Sequence, residues 1–261
     1  MRHQPLLAKT AFFTFLIGAV IALAACICTR LHLVSLDLGL KLVLPGLAIG
    51  LIGLGCGGAW IWRALALNNS QGWRLGTIGL IGSLLLVGIP ASYQWRVETL
   101  PPIHDVSTDI GDAPQFVALL AQRKGATNPA SYDGPNVIVY QGEKMTTALA
   151  QKNAWQDIKP LERLAGTIPQ HEFISRYFWR ALNAVNGLGW RVAAFDVKSG
   201  RIEATSQTLW FGGISDIVIR VKPAGKIGVR VDVRAKSRHG DADGGRNAEL
   251  VHAFLAREDG H

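Results

Sequence analysis

Apolar positions run together over the first hundred residues and recur at short, regular intervals after that. Uninterrupted apolar runs cover residues 10–28 (TAFFTFLIGAVIALAACIC), 42–62 and 75–95. Each is about 20 residues long, which matches the hydrocarbon core of a bilayer at about 1.5 Å of helix per residue. Lys41 and Arg63 bracket the second run, and Arg74 and Arg96 the third. Trp60, Trp62, Trp73, Tyr93 and Trp95 lie at run ends, where amphipathic rings prefer the membrane interface. The pattern predicts a three-helix transmembrane anchor over 1–96, with spans at about 10–28, 42–62 and 75–95, and a soluble domain over 97–261. No charge sits mid-span, so nothing suggests an ion or proton path, and the spans read as an anchor rather than a transporter.

Beyond residue 96 the period shortens. In 170–187 (QHEFISRYFWRALNAVNG) the apolar residues Phe173, Ile174, Tyr177, Phe178, Ala181, Leu182 and Val185 follow a helical repeat that Gly187 and Gly189 end. Strands are predicted at 190–197, 201–211, 215–223 and 226–238, joined by KSG and PAGK turns. In the last of these Ile227, Val229, Val231, Val233 and Ala235 face one way, and Lys226, Arg230, Asp232, Arg234 and Lys236 the other. Residues 244–257 carry a final helical period. Residues 113–124 look helix-like, 136–142 read as a short strand and 143–153 as a short helix. A strand meander with flanking helices makes the soluble part α+β with an antiparallel sheet.

Charge and cysteine use narrow the function. The formal net charge is +8, but Arg2, Lys9, Arg30, Lys41, Arg63, Arg74 and Arg96 flank the spans, while acids and bases nearly balance in the soluble part. That distribution argues against a nucleic-acid footprint. Cys26, Cys28 and Cys56 all lie in apolar runs, which leaves the polar part without a disulfide framework, a thiolate nucleophile or a cysteine metal site. LAAC at Leu23–Cys26 matches a lipobox, but two further spans make a lipid on Cys26 redundant. Bases near the N-terminus and in the second loop outnumber those on the other side by one. The expectation is therefore a multi-pass protein of a bacterial inner membrane with a periplasmic tail.

Three stretches, IHDVSTDIGDAPQF, IEATSQTLWFGGISDIVIRV and VRVDVRAKSRHGDADGGRNAELVHAFL, resemble the bacterial domain of unknown function 1499 (DUF1499). The resemblance covers roughly 97–258 and fits a preceding three-span anchor. The basic strand, the loop SR-x-G-x-x-D-x-G-x-N-A and the helix after it are its most specific part. Gly212–Gly213 departs from the bulkier or acidic residue common there. The resemblance implies fold and membrane placement, and carries no catalytic residues.

Candidate chemistry is sparse. His104, Asp105 and Asp109 open the soluble domain, and such a cluster could ligate a metal or position a base. Pro101 and Pro102 before it, and turn-forming Ser107 and Thr108 within it, favour a structural role in ordering the domain's first turn. In SRHGDADGGRN, 237–247, Asp241 and Asp243 faintly suggest a calcium loop, but Asp243 capping the last helix, with Asn247 holding the loop, is the better reading. Arg220, Arg230, Arg234, Lys236 and Arg238, with Glu203, Asp216 and Asp232, form a charged sheet face. That face reads first as a solvated ladder of ion pairs, and second as a ligand site at Arg230, Arg234, Arg238 and Trp210. Gly46, Gly50, Gly53 and Gly57, with Gly79 and Gly82, have spacings that let helices approach closely. Packing within the anchor is favoured over a docking face for another membrane protein. No nucleophile elbow, zinc-protease, P-loop or dinucleotide motif is present, and no cofactor or metal is expected. The leading reading is a membrane-anchored, non-enzymatic extracytoplasmic module that binds a protein partner or an amphipathic ligand such as a lipid. The alternative is a membrane-bound hydrolase or metal-assisted enzyme using His104, Asp105 and Asp109.

Overall fold

The computed structural model describes residues 6–68 and 71–259, so Arg2 and the extreme ends of both expected domains lie outside it. The described residues form two compact units, one of residues 1–95 with 209–212, the other of 96–208 with 213–261.

The first unit contains helices α1 (Leu6–Arg30), α2 (Leu36–Ala66) and all but the last four residues of α3 (Trp73–Thr99). Among the described residues these three are long and apolar enough to cross a membrane, with peak mean hydropathies of 2.6, 1.9 and 1.8. Each outlasts its apolar run, because hydropathy marks the length that lipid can cover and not the point where the backbone stops coiling. Pro45 and Pro90 consequently sit inside α2 and α3.

Buried positions on α2 are Gly39, Val43, Gly46, Gly50, Gly53, Gly57 and Trp60. Their spacing alternates four and three, a heptad seam that is glycine at every position but Val43 and Trp60. The pairs Gly46–Gly50 and Gly53–Gly57 are two segments of this one seam. α1 answers with Ala8, Ala11, Gly18, Ala22, Ala25 and Thr29, and α3 with Gly76, Gly79 and Ser83. A Cβ on Gly18 would stand 2.7 Å from the Gly46 carbonyl oxygen, and one on Gly46 the same distance from that of Gly18. A Cβ on Gly79 would meet the Ala11–Phe12 backbone at 2.5 Å, and one on Gly82 the Phe15 ring at 2.6 Å. Gly55, Gly58 and Gly88 face open space.

The second unit is α+β, with an antiparallel sheet ordered β1-β8-β7-β6-β5 and β4 also paired to β8. Its strands are β1 (Asp105–Ser107), β4 (Leu161–Leu164), β5 (Arg191–Asp196), β6 (Arg201–Gln207), β7 (Ile214–Ala224) and β8 (Gly228–Ser237). β2 (Val137–Tyr140) and β3 (Glu143–Thr146) form a separate hairpin, closed by Gln141 and Gly142, both at positive φ. The helices are α4 (Thr147–Ala154), α5 (Gln170–Gly187) and α6 (Arg246–Asp259). The expected helix at 143–153 is thus strand β3 followed by α4. Thr146 ends the pairing and caps the helix, accepting the Leu149 N–H at 3.2 Å.

The two faces of the sheet have opposite chemistry. On one, Phe178, Leu182 and Val185 of α5 and Val251 and Phe254 of α6 pack with Ile202, Ile217, Ile219, Val229, Val231, Val233 and Ala235. On the other, the register sets Asp216 beside Lys236, Val218 beside Arg234, Arg220 beside Asp232, and Asp105 on the far side of Lys236. The expectation of a solvated charge ladder fails here. Residues 108–133 fold back over this face, with Phe116 and Leu119 packed on Val218. Asp216, Asp232, Arg234 and Lys236 are fully buried. The helix-like piece at 113–124 narrows to a short 3-10 helix, Ala118–Arg123. The Glu203 carboxylate, projecting from β6, accepts the N–H groups of Val117, Ala118 and Leu119 at 2.9–3.1 Å and satisfies donors that the turn itself leaves open.

Candidate functional site

Strand alternation carries every second residue of β8 into the layer between the sheet and the 108–133 cover. A charge enters such a layer only with partners, since burying it alone costs several kcal/mol or more. Arg234 shows how fully the cost is met. Its Nε and one terminal nitrogen each donate to Asp105 at 2.8 Å. Further donations reach the carbonyls of Pro114, Ala130 and Ser131 at 2.9–3.1 Å. Its guanidinium also lies over the rings of Phe116 and Tyr132, at 4.9 and 5.2 Å from their centroids. Asp105 additionally accepts the Asp133 N–H, and Lys236 Nζ reaches Asp133 at 2.6 Å, the Ser131 carbonyl at 2.7 Å and Asp105 at 3.3 Å.

His104 joins the same cluster. Its Nε2 stands 2.9 Å from Asp133 Oδ2, and its Nδ1 lies 3.1 Å from the Asp241 carbonyl oxygen. Both neighbours can only accept, so the site favours a proton on each ring nitrogen, the imidazolium form. Burial by itself would lower the His104 pKa. The Asp133 contact and the Asp241 carbonyl outweigh it, and the net displacement is upward. Asp133 moves the other way, held down against its own burial by His104 and Lys236. Because the folded His104 pKa lies above its unfolded value, the stabilisation is fully present below about pH 6.5 and is lost as pH rises through the folded value. The Asp133 contribution is instead lost as pH falls below the carboxylate range. Thermal unfolding of the full chain in detergent is therefore expected to shift to lower temperature as pH rises above about 6.5. His104→Gln should flatten that slope, and an unchanged slope would show that His104 stays neutral.

Asp109 lies apart from this cluster, at the layer's open end. It meets Arg230 at 2.6 Å and Arg220 at 3.3 Å, and Gly111 and Asp112 donate their N–H groups to its carboxylate. Burial pushes its pKa up, but the Asp112 N–H, Arg230, the Gly111 N–H and Lys222 together hold it below the usual range. Arg220 and Arg230 share Asp232 at 2.8 Å each, and Arg230 also faces Glu162 at 3.4 Å. Beside them is an open depression of about 570 Å³ lined by Glu162, Arg163, Lys222, Pro223, Gly225 and Arg230. Arg238 is turned elsewhere, gripping Asp216 at 2.8–3.1 Å together with Arg123 at 2.5 Å. Trp210 joins none of these groups. It is about half exposed, in the 209–212 segment, which is not part of the sheet's unit.

The opening triad is therefore split in two: His104 and Asp105 join one cluster through Asp133 and Lys236, and Asp109 lies apart with Arg230. Among the described residues no three histidines, cysteines, aspartates or glutamates converge to hold a metal ion. The loop 237–247 is closed by hydrogen bonds of its own. Asp243 accepts the N–H groups of Gly245 and Asn247 at 2.8 and 2.9 Å, at the start of α6, and burial pushes its pKa up despite them. Asn247 Nδ2 donates to the His104 carbonyl and to Ser237 Oγ.

Several members of the layer carry no sequence signal. Asp133 reads as turn chemistry before Gly134, Arg123 as the polar end of a helix, and Gln151 as a surface residue. Gln151 is in fact buried and brackets the Ser107 peptide, accepting its N–H at 3.0 Å and donating to its carbonyl at 2.7 Å.

Three apolar helices followed by an α+β domain whose sheet is apolar on one face and ionic on the other define a membrane-associated, two-part protein. The family model described as a protein of unknown function (DUF1499) matches residues 105–257, and the chain belongs to that family. The match runs from the first residue of β1 into α6 and so spans both walls of the ionic layer. A search of the curated proteins finds no match to the chain.

Proposed function

We propose that the protein is a membrane-anchored, non-enzymatic binding module. Residues 1–96 anchor it in a bacterial inner membrane, and 97–261 form a periplasmic domain that engages a protein partner or an amphipathic ligand in support of a membrane complex or the envelope. The observation that carries this reading is the state of the candidate catalytic groups. His104 has both nitrogens against acceptors, and Asp105 and Asp109 are held by arginines. A general base needs a lone pair turned toward substrate, and these groups are turned toward partners within the protein. The balance of Lys9, Arg63 and Arg74 against Arg30, Lys41 and Arg96 supports the orientation together with Arg2 at the N-terminus.

The test is purification of the full chain in a gentle detergent, with mass spectrometry of the proteins, lipids and metals that travel with it. A stoichiometric protein or lipid is the expected result. A bound metal accompanied by hydrolytic turnover that Asp109→Asn abolishes would overturn the reading.

A further inference from the structure

A second depression of about 570 Å³ lies on the opposite side of the sheet from the ionic layer, where α5 meets the end of α6. Arg176, Trp179, Arg180, Asn183, Arg257 and Glu258 line it. Arg176, Arg180, Asn183 and Gly187 follow one another at helical spacing on a single face of α5. Gly187 matters because a Cβ there would collide with the Arg257 guanidinium, so the missing side chain is what lets Arg257 lie across the helix.

The charges in this groove differ from those under the 108–133 cover. Glu258 is fully buried and already answered by Arg180, at 3.2 Å from Nε to Oε2, and Arg180 in turn lies over the Tyr177 ring. Arg176 has only a long, exposed contact of 3.9 Å with Glu172. Among the described residues Arg257 makes no ion pair. The groove therefore keeps uncompensated positive charge next to exposed aromatic surface. Trp179 is 47% exposed and Phe195 51%, and their rings meet edge to face at 6.0 Å between centroids. Large aromatic rings left open beside an unpaired guanidinium suit a ligand that is anionic at one end and apolar along its body.

Building on the binding-module reading, we infer that this groove holds a phospholipid with an anionic headgroup. Arg257, Arg176 and Asn183 take the phosphate, and Trp179 with Phe195 lies along the acyl chain. A lipid is the occupant these features favour, because the same chain carries three helices fit to lie among lipids and the groove's charge complements a phosphate.

The experiment titrates the full chain in maltoside micelles with dihexanoylphosphatidic acid by calorimetry. Dihexanoylphosphatidylcholine and inorganic phosphate are titrated in parallel. Saturable binding of the anionic lipid is expected, weakened about tenfold by Arg257→Gln and by Trp179→Ala, with Arg257→Lys in between. Both side chains are exposed, so the variants should unfold at the temperature of the parent, which separates lost binding from lost structure. Equal affinity in the parent and both variants would overturn the proposal, as would inorganic phosphate binding as tightly as the lipid. If a protein partner still co-purified with those variants, the module reading would survive without this groove.

Discussion

Asp105→Ala is expected to destabilise the soluble domain by about 3–5 kcal/mol, enough to leave much of it unfolded near physiological temperature. The reason is the asymmetry of buried charge. Arg234 and Lys236 are both fully buried, and among the described residues Asp105 is the carboxylate that both of them touch. Removing it leaves the buried guanidinium without a carboxylate and Lys236 with only Asp133 and the Ser131 carbonyl among the described residues. Asp105→Ala with Arg234→Met should recover part of the loss. Recovery stays partial because the carbonyls of Pro114, Ala130 and Ser131 then lose a donor. Asp112→Ala supplies the contrast, since its carboxylate is 72% exposed and its pairs with Arg220 and Lys222 should be worth about 1 kcal/mol or less. The measurement is thermal unfolding of the full chain in detergent for the single and double variants. A coupling between positions 105 and 234 near zero, or a cost for Asp105→Ala no larger than that of Asp112→Ala, would mean that the layer is effectively solvated.

That prediction could not have been made from the sequence, and the reason is physical. Alternation along 226–238 correctly puts Arg230, Asp232, Arg234 and Lys236 on one face, because a strand's period follows from its backbone geometry. Whether a charged face meets water or protein depends on what crosses it. The cover, 108–133, is a loop with one short 3-10 helix and has no period to detect. Asp133 and Arg123 are visible only once the chain has folded back. α5 matches the helix expected at 170–187 because its apolar stripe, with Phe178, Leu182 and Val185 buried, is the signal that periodicity reads best. β1 and β4 escape notice for the opposite reason. They are three and four residues long, and both attach to the same edge of β8, which only tertiary pairing can define. In the membrane unit the GxxxG pairs were legible, yet the seam that unites them was not. It emerges when buried positions are read at spacings of four and three together, and Gly18 and Ala22 on α1 are recognised as its other half.

Gly46→Leu is expected to disrupt the membrane unit, while Gly55→Leu should leave it intact. The two glycines lie on the same helix, nine positions apart, and nothing in their local propensity separates them. What separates them is the neighbour. A side chain on Gly46 would run into the Gly18 carbonyl and Ala22 of α1, whereas one on Gly55 meets nothing within 4 Å. Backbone cannot move aside as a flexible side-chain end can, so α1 and α2 must separate along the seam. Overpacking of this kind costs at least about 1–3 kcal/mol, and a forced parting of backbones takes it to the upper end. Leucine at position 55 should instead project into lipid, where an added apolar side chain is tolerated. Thermal aggregation of the full chain in mild detergent, followed by size-exclusion chromatography, reads both outcomes. Loss of the monodisperse peak for Gly46→Leu alone assigns the seam to packing within the chain. Equal damage from both substitutions would deny that the seam differs from the rest of the helix. A Gly55→Leu chain that stays folded but sheds a co-purifying membrane protein would place the docking surface on the open glycine face of α2, with Gly58 beside it.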